Sequence, residues 1–311
     1  MKTVVTGVAG FIGSHLADSL LADGHEVTGI DAFLDFYPRA LKERNLQAAR
    51  GHASFRLVEG AVQEMNLSDA LEGAAQVFHL AAQAGVRSSW GRDFALYTEH
   101  NVLATQRVLE AALEAGVPRV VYASSSSVYG DAALPLREDS PCRPLSPYGV
   151  TKLAGEHLGR LYERNYGLPV VSLRYFTVYG PRQRPDMAFH RFLRASRNGD
   201  AVSVFGDGEQ TRDFTFVADA VAATRAAANS ERSGRVYNIG GGERVSVNEV
   251  LRRIERLTGR PVNAVREPAQ KGDVRDTSAD TAAAREDLGF RSTVTLTEGL
   301  ARQWAWMGET A

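Results

Sequence analysis

Residues 2–31 read K-T-V-V-T-G-V-A-G-F-I-G-S-H-L-A-D-S-L-L-A-D-G-H-E-V-T-G-I-D. A β-branched run, a turn carrying Gly7, Gly10 and Gly13, an amphipathic stretch and a second β-branched run ending at Asp31 form a strand–helix–strand unit. Outward from it the alternation continues, with strand-like runs F-R-L-V-E from Phe55, V-F-H-L from Val77, R-V-V-Y-A from Arg119 and V-V-S-L-R-Y from Val170. Helical spacing of apolar residues fills the gaps, notably over Phe94–Ala115 and Tyr148–Tyr166. Short apolar strands alternating with helices predict an α/β fold, a doubly wound parallel sheet with crossover helices.

After Tyr175 the pattern loosens into R-Q-R-P-D-M-A, a strand-like A-V-S-V-F, the turn-rich G-D-G-E-Q-T-R-D-F, and a last unit containing R-V-Y-N-I-G and a helix over Val247–Leu257. The expectation is a sheet domain over residues 1–175 and a smaller C-terminal lobe over 176–311, with segments near 210–240 returning to the sheet. No linker, repeat or low-complexity tract marks the boundary.

The 36 basic and 37 acidic residues leave a formal charge of -1, which lacks the strong basic field expected of a nucleic-acid binder. Any bound phosphate must be held locally. The single cysteine, Cys142, cannot form an intramolecular disulfide or a four-cysteine zinc site, and no metal site is expected. The apolar start is cut by glycines and runs into an amphipathic stretch, unlike a signal peptide. No run approaches the roughly 18 apolar residues of a membrane span. A soluble, cytoplasmic protein is expected.

Gly7, Gly10 and Gly13 lie between a strand and a helix, where backbone N–H groups and a helix N-terminus can approach a pyrophosphate. Their spacing is G-x-x-G-x-x-G, which departs from the generic G-x-G-x-x-G fingerprint. Asp31 ends the second strand, where a carboxylate bonds the adenosine ribose hydroxyls. That charge would repel a 2′-phosphate, and Ala32 follows in place of an arginine, so NAD is preferred to NADP.

Y-A-S-S-S-S-V-Y-G at 122–130 puts serines at the carboxyl end of a strand, where ligands bind in open α/β sheets. P-L-S-P-Y-G-V-T-K at 144–152 puts Tyr148 and Lys152 on one helix face. A tyrosine of ordinary pKa, about 10, is a poor base at neutral pH. A nearby ammonium and a positively charged nicotinamide both favour the phenolate. Ser125 is placed to bridge a substrate hydroxyl and that phenolate.

T-G-V-A-G-F-I-G-S-H-L, H-L-A-A, S-S-S-S-V-Y-G, Y-G-V-T-K, R-Y-F-T-V-Y-G-P and R-D-F-T-F-V-A-D, in this order, closely resemble the extended short-chain dehydrogenase/reductase family of nucleotide-sugar enzymes. The resemblance implies a Rossmann domain with a nucleotide-sugar lobe, and NAD contacts from Gly7, Gly10, Phe11, Ile12, Gly13, Asp31, Val62, Leu80, Ala81, Ala82, Tyr148, Lys152 and Tyr175. Ser125, Tyr148 and Lys152 are the implied catalytic set. Dehydratases of the family usually carry Asp-Glu after the catalytic Ser/Thr, and many decarboxylases carry Glu; this chain has Ser126 and Ser127 there. Epimerisation needs no further acid or base, so it is favoured.

Residues 174–188, R-Y-F-T-V-Y-G-P-R-Q-R-P-D-M-A, resemble the segment of UDP-glucuronate 4-epimerases, whereas UDP-glucose 4-epimerases commonly have Asn in place of Thr177. By that resemblance Ser126 and Thr177 bond the sugar carboxylate, with Arg184 organising the loop. Arg212 resembles the diphosphate ligand, Arg87 a substrate contact and Phe205 the border of the uracil, with Lys271 and Asp273 near the diphosphate. A homodimer built from the helices beginning near Phe94 and Tyr148 is also implied. One departure stands out: the family's adenine-binding Asp after the third strand is Ala61 here. Competing readings are a UDP-glucose 4-epimerase, a UDP-glucuronate decarboxylase and an NAD-responsive binding protein.

Overall fold

In the computed structural model, which describes residues 1–309, seven parallel strands form the main sheet in the order β10-β6-β5-β4-β1-β2-β3. In chain order these are β1 (Lys2–Thr6), β2 (Glu26–Asp31), β3 (Phe55–Glu59), β4 (Gln76–His79), β5 (Val120–Ser125), β6 (Val170–Tyr175) and β10 (Arg235–Ile239). Two short sheets belong to the C-terminal part: β7 (Val178–Tyr179) with β9 (Thr211–Phe216) and β11 (Glu243–Ser246), and β8 (Ala201–Phe205) with β12 (Asn263–Glu267). The doubly wound parallel sheet expected from the alternation is the observed fold, and its order 3-2-1-4-5-6 reverses between β1 and β4.

The early helices are α1 (Phe11–Ala22), the short α2 (Arg39–Asn45), α3 (Gln47–Arg50) and α4 (Ser68–Leu71), then α5 (Phe94–Tyr97), α6 (Ala104–Glu114) and α7 (Pro147–Tyr166). Later come α8 (Ala188–Asn198), α9 (Val217–Asn229), α10 (Val247–Thr258), α11 (Ala282–Leu288) and α12 (Leu296–Glu309). The helical run expected over 94–115 is interrupted: a π-helical turn over Thr98–Leu103 joins α5 to α6. Apolar periodicity does not report that widening, because the apolar face continues through it.

The strands read as near-continuous apolar runs because helices cover both sheet faces. Val4 and Val5 are fully buried on opposite sides of β1. Helix α9 packs on α1 and on β5 and β6, and β10 pairs with β6, so the chain re-enters the main sheet after β9 has paired in the small one. One hydrophobic cluster runs from Val5 and Phe78 under the sheet to Phe189, Val204, Ile254 and Leu300. Buried Gln303 stitches α12 to the loop after β7, accepting from the Gly180 N–H and donating to Gln183 Oε1. No helix of the described residues is long and apolar enough to cross a membrane.

Candidate active site

A cleft opens over the carboxyl ends of the strands at the reversal point. Gly7, Gly10, Phe11, Ile12, Gly13, Asp31, Val62, Leu80, Ala81, Ala82, Tyr148, Lys152 and Tyr175, scattered through the sequence, all line it, and so does Arg184. The glycine turn is demanded by close approach. Gly7 has φ +72°, and a Cβ there would lie 2.7 Å from the Ala81 backbone nitrogen; a Cβ on Gly13 would lie 2.2 Å from the Gly7 carbonyl. Gly10, by contrast, leaves its side open to the cleft apart from Gly7 O at 3.1 Å. Helix α1 starts at Gly10 with no side-chain cap, so its first-turn N–H groups are offered to a ligand. This cradle fits a dinucleotide pyrophosphate.

Asp31 is held by the backbone N–H groups of Ala9 (2.9 Å) and Phe33 (2.8 Å), with burial pushing its pKa up. Each carboxylate oxygen keeps acceptor capacity for a ribose hydroxyl. Lys42, absent from the sequence reading, lines the same end of the cleft; its buried ammonium donates to Leu34 O at 2.6 Å, and its charge acts on Asp31. Beneath the cleft, His79 joins Thr6 (2.7 Å) to Thr105 (3.1 Å), and Thr6 Oγ1 accepts from the Ala81 N–H at 3.2 Å. Burial lowers the His79 pKa to about 3, so the ring is neutral and clamps the ends of β1 and β4 together.

Tyr148 is the second residue of α7. Ser146 caps that helix by accepting from the Gly149 N–H at 3.1 Å, and Pro147 opens its first turn. A Cβ on Gly149 would meet the Ser127 carbonyl at 2.6 Å, so this glycine lets the serine turn close on the helix start. There the Ser125 hydroxyl, which donates to Ser127 Oγ at 3.1 Å and accepts from the Ser127 N–H at 3.1 Å, lies close enough to Tyr148 to oppose the rise in its pKa, and Tyr97 packs edge-on against the Tyr148 ring at 6.3 Å. Lys152, one turn on, donates to Ala123 O at 2.8 Å, with its ammonium 6.0 Å from the Tyr148 ring centre.

Burial raises the Tyr148 pKa, and the charge of Arg184 opposes that rise, with the Ser125 hydroxyl next. The sequence reading gives Arg184 only a place in the loop, and the structure brings it to the cleft beside Tyr148. Arg184 itself chelates Asp186 (2.9 and 3.0 Å) and stands over Phe36.

Burial lowers the Lys152 pKa from its ordinary 10.5 to about 8, with Glu156 pulling it back up. Between those values the unfolded chain holds this proton and the folded chain does not, so the group makes stability rise with pH across that window. In Lys152→Met the rise is expected to be absent from urea unfolding followed through the same window. Equal slopes in both proteins would overturn the assignment.

Glu156 lies one further turn along α7, buried, where it receives Arg174 bidentately at 2.7 and 2.9 Å and the Ser124 hydroxyl. Arg174 also donates to Glu138 O at 3.2 Å and stacks over Tyr129 at 4.6 Å. This ion pair, both side chains 5% exposed, braces β5, β6 and α7 beneath Ser124 and Ser125.

Ser126 and Thr177 lie on the turns after β5 and β6 and, with Ser125, are not among the residues that line the cleft. Neither side-chain hydroxyl has a hydrogen-bond partner among the described residues. Arg87, Phe205 and Arg212 gather in a second group: Arg87 pairs with Asp273 at 2.6 Å and stacks over Phe205 at 4.0 Å. Arg212 donates to the Thr211 and Arg275 carbonyls, both at 2.9 Å, and feels the charges of Asp273 and Arg87. Arg191, which no motif pointed to, feels the charge of Arg87 as Arg212 does. Asp273 belongs to this group through its pair with Arg87, while Lys271 is exposed.

The order of the sheet, the glycine cradle and the Ser125–Tyr148–Lys152 arrangement define a dinucleotide-dependent enzyme of the extended short-chain dehydrogenase/reductase type. The model of the NAD dependent epimerase/dehydratase family matches residues 3–240, and the chain belongs to that family. It is 44% identical to an uncharacterized UDP-glucose epimerase, YtcB, of Bacillus subtilis (strain 168), covering 99% of this chain and 98% of that one. It is 36% identical to the UDP-glucuronate 4-epimerase of Thermodesulfobacterium geofontis (strain OPF15), covering 98% and 96%. The crystal structure of UDP-glucuronic acid 4-epimerase from Bacillus cereus, in complex with UDP-glucuronic acid and NAD, superposes with a TM-score of 0.98 at 41% identity over the whole of both chains.

Proposed function

We propose that this protein is an NAD-dependent 4-epimerase of a UDP-sugar, converting UDP-glucuronate to UDP-galacturonate. The observation carrying this reading is the serine turn after β5, closed on the start of α7: Ser125 stands by Tyr148 with no carboxylate following it in the turn, and the hydroxyls of Ser126 and of Thr177 after β6 have no partner among the described residues. The likeness to the Bacillus cereus enzyme supports the uronate.

The glycine cradle and Asp31 would hold NAD, which would supply an acceptor for the sugar C4 hydride and, once the 4-keto sugar has turned over, a donor to its other face. Tyr148 takes the C4 hydroxyl proton as the hydride leaves and gives it back as the hydride returns, so it ends each cycle unchanged. Ser125 orients that hydroxyl, and Arg184 together with the cationic cofactor favours the phenolate against the burial that raises its pKa. Arg87, Arg191 and Arg212 supply the charge for the diphosphate. The 4-keto uronate formed in between is a β-keto acid, which loses carbon dioxide when its carboxylate bond stands perpendicular to the ketone plane. Ser126 and Thr177 hold the carboxylate away from that orientation.

The test is incubation with UDP-glucuronate, with and without added NAD, followed by proton NMR. UDP-galacturonate is the expected product; UDP-xylose or a 4-keto pentose would make the protein a decarboxylase. The double variant Ser126→Ala, Thr177→Val is expected to release several-fold more decarboxylated product per turnover. An unchanged product ratio would remove the carboxylate clamp from the account.

A homodimer is part of the same proposal. Leu96 and Leu103, seven residues apart, lie 39% and 42% exposed, and Val150 and Leu161 on α7 lie 48% and 53% exposed. Val150 and Leu161, eleven residues apart, share one face of α7, while Leu96 and Leu103 are exposed on α5 and on the π-helical turn that follows it. Leu103→Asp with Val150→Asp is expected to give a monomer by light scattering, and an unchanged mass would place the subunit contact elsewhere.

A further inference from the structure

The family's adenine-binding carboxylate is missing at Ala61, and the structure offers a different group at that end of the cleft. The Gly60 N–H donates to the Asp31 carbonyl at 3.0 Å, which seats the turn after β3 against the carboxylate that faces the ribose. Gly60, Ala61, Val62 and Gln63 then line the cleft, with His100 beside them. The Gln63 Oε1 atom is buried and has no hydrogen-bond partner. Its amide nitrogen lies 3.1 Å from His100 Nδ1. A buried acceptor left unpaired is unfavourable, and such atoms in native proteins point to a missing partner.

His100 is itself held in place. It sits on the π-helical turn over Thr98–Leu103, a kind of widening often found at functional positions. The next residue, Asn101, anchors that turn by accepting from the Gln83 N–H at 2.7 Å and donating to Gln83 O at 3.0 Å and Thr151 Oγ1 at 2.9 Å. Burial lowers the His100 pKa, so at neutral pH the ring is uncharged and its Nδ1 can accept from the Gln63 amide. The pairing leaves Oε1 as the free end.

We propose that Gln63, oriented by His100, reads the adenine of NAD by accepting a hydrogen bond from its exocyclic amino group. The other donors of the cofactor are taken up elsewhere: the ribose hydroxyls by Asp31, and the nicotinamide at the Tyr148 end, across the sheet from β3. The inference rests on the cleft being the NAD site.

The test is calorimetric binding to the full chain freed of nucleotide, comparing NAD with nicotinamide hypoxanthine dinucleotide, in which a carbonyl replaces the amino group. The wild type is expected to prefer NAD by at least about fivefold, the worth of one such hydrogen bond. Gln63→Met, which keeps the shape and removes the acceptor, is expected to bring the ratio to about one with circular dichroism unchanged. Gln63→Glu, which keeps an acceptor, is expected to retain the preference, so a misfolded Met variant would not decide the matter alone. Equal affinities in the wild type, a preference for hypoxanthine, or an NAD preference surviving in Gln63→Met would each overturn the proposal. Binding of neither dinucleotide would overturn the NAD reading along with it.

Discussion

Tyr148→Phe is expected to lower kcat with UDP-glucuronate by about a thousandfold, within the usual contribution of a positioned general base. The substitution removes one oxygen and nothing else. The phenyl ring still fills the half-buried slot beside Tyr97, α7 still begins at the Ser146 cap, and Lys152 still holds Ala123 O. NAD affinity is therefore expected to change less than threefold, an effect below about 0.7 kcal/mol. Single-turnover NMR and calorimetry on the same preparation separate the two quantities. A variant retaining a tenth of the wild-type rate would show that another group moves the C4 proton. A variant that lost NAD affinity in step with its rate would show instead that the hydroxyl serves binding.

Arg174→Met should cost about 3–5 kcal/mol of folding stability, the range for removing one partner of a buried ion pair. Glu156 would be left among β5, β6 and α7 with the Ser124 hydroxyl as its remaining hydrogen-bond donor and only the charge of Lys152 to oppose its own. Urea unfolding at constant denaturant slope would read the loss as a shift in midpoint. Removing both charges in Arg174→Met with Glu156→Leu is expected to be less damaging than Arg174→Met alone, since no isolated buried charge remains. A loss below about 1 kcal/mol for Arg174→Met would mean that water or a relaxed neighbour reaches Glu156, and that the pair is not a brace.

Much of the site was legible because its chemistry is carried by short segments. Gly7, Gly10 and Gly13 are read from their place between a strand and a helix, and the structure accounts for two of them by backbone contacts under 3 Å. Tyr148 and Lys152 share one helix face by spacing alone. What the spacing could not show was the second charge: Lys152 donates to Ala123 O with its ammonium 6.0 Å from the Tyr148 ring, and Arg184, from a loop after β7, acts on the same tyrosine. Lys42 escaped notice for a related reason. The expectation for the ribose looked only at Ala32, the residue next in sequence, whereas the chain turns and brings a lysine back from α2.

The sequence by itself determined the alternation of strands and helices, the glycine turn and the residues that face a ligand at strand ends. These follow from periods of two and 3.6 residues and from backbone rules that act within a few positions. Only the tertiary structure decided the partnerships: Arg174 with Glu156 across 18 residues, Gln63 with His100 across 37, and Arg87 with Asp273 across 186. A hydrogen bond is made or lost within a few tenths of an ångström. Separations that small between distant residues are set by how the sheet twists and the helices pack, and no local period in the sequence records them.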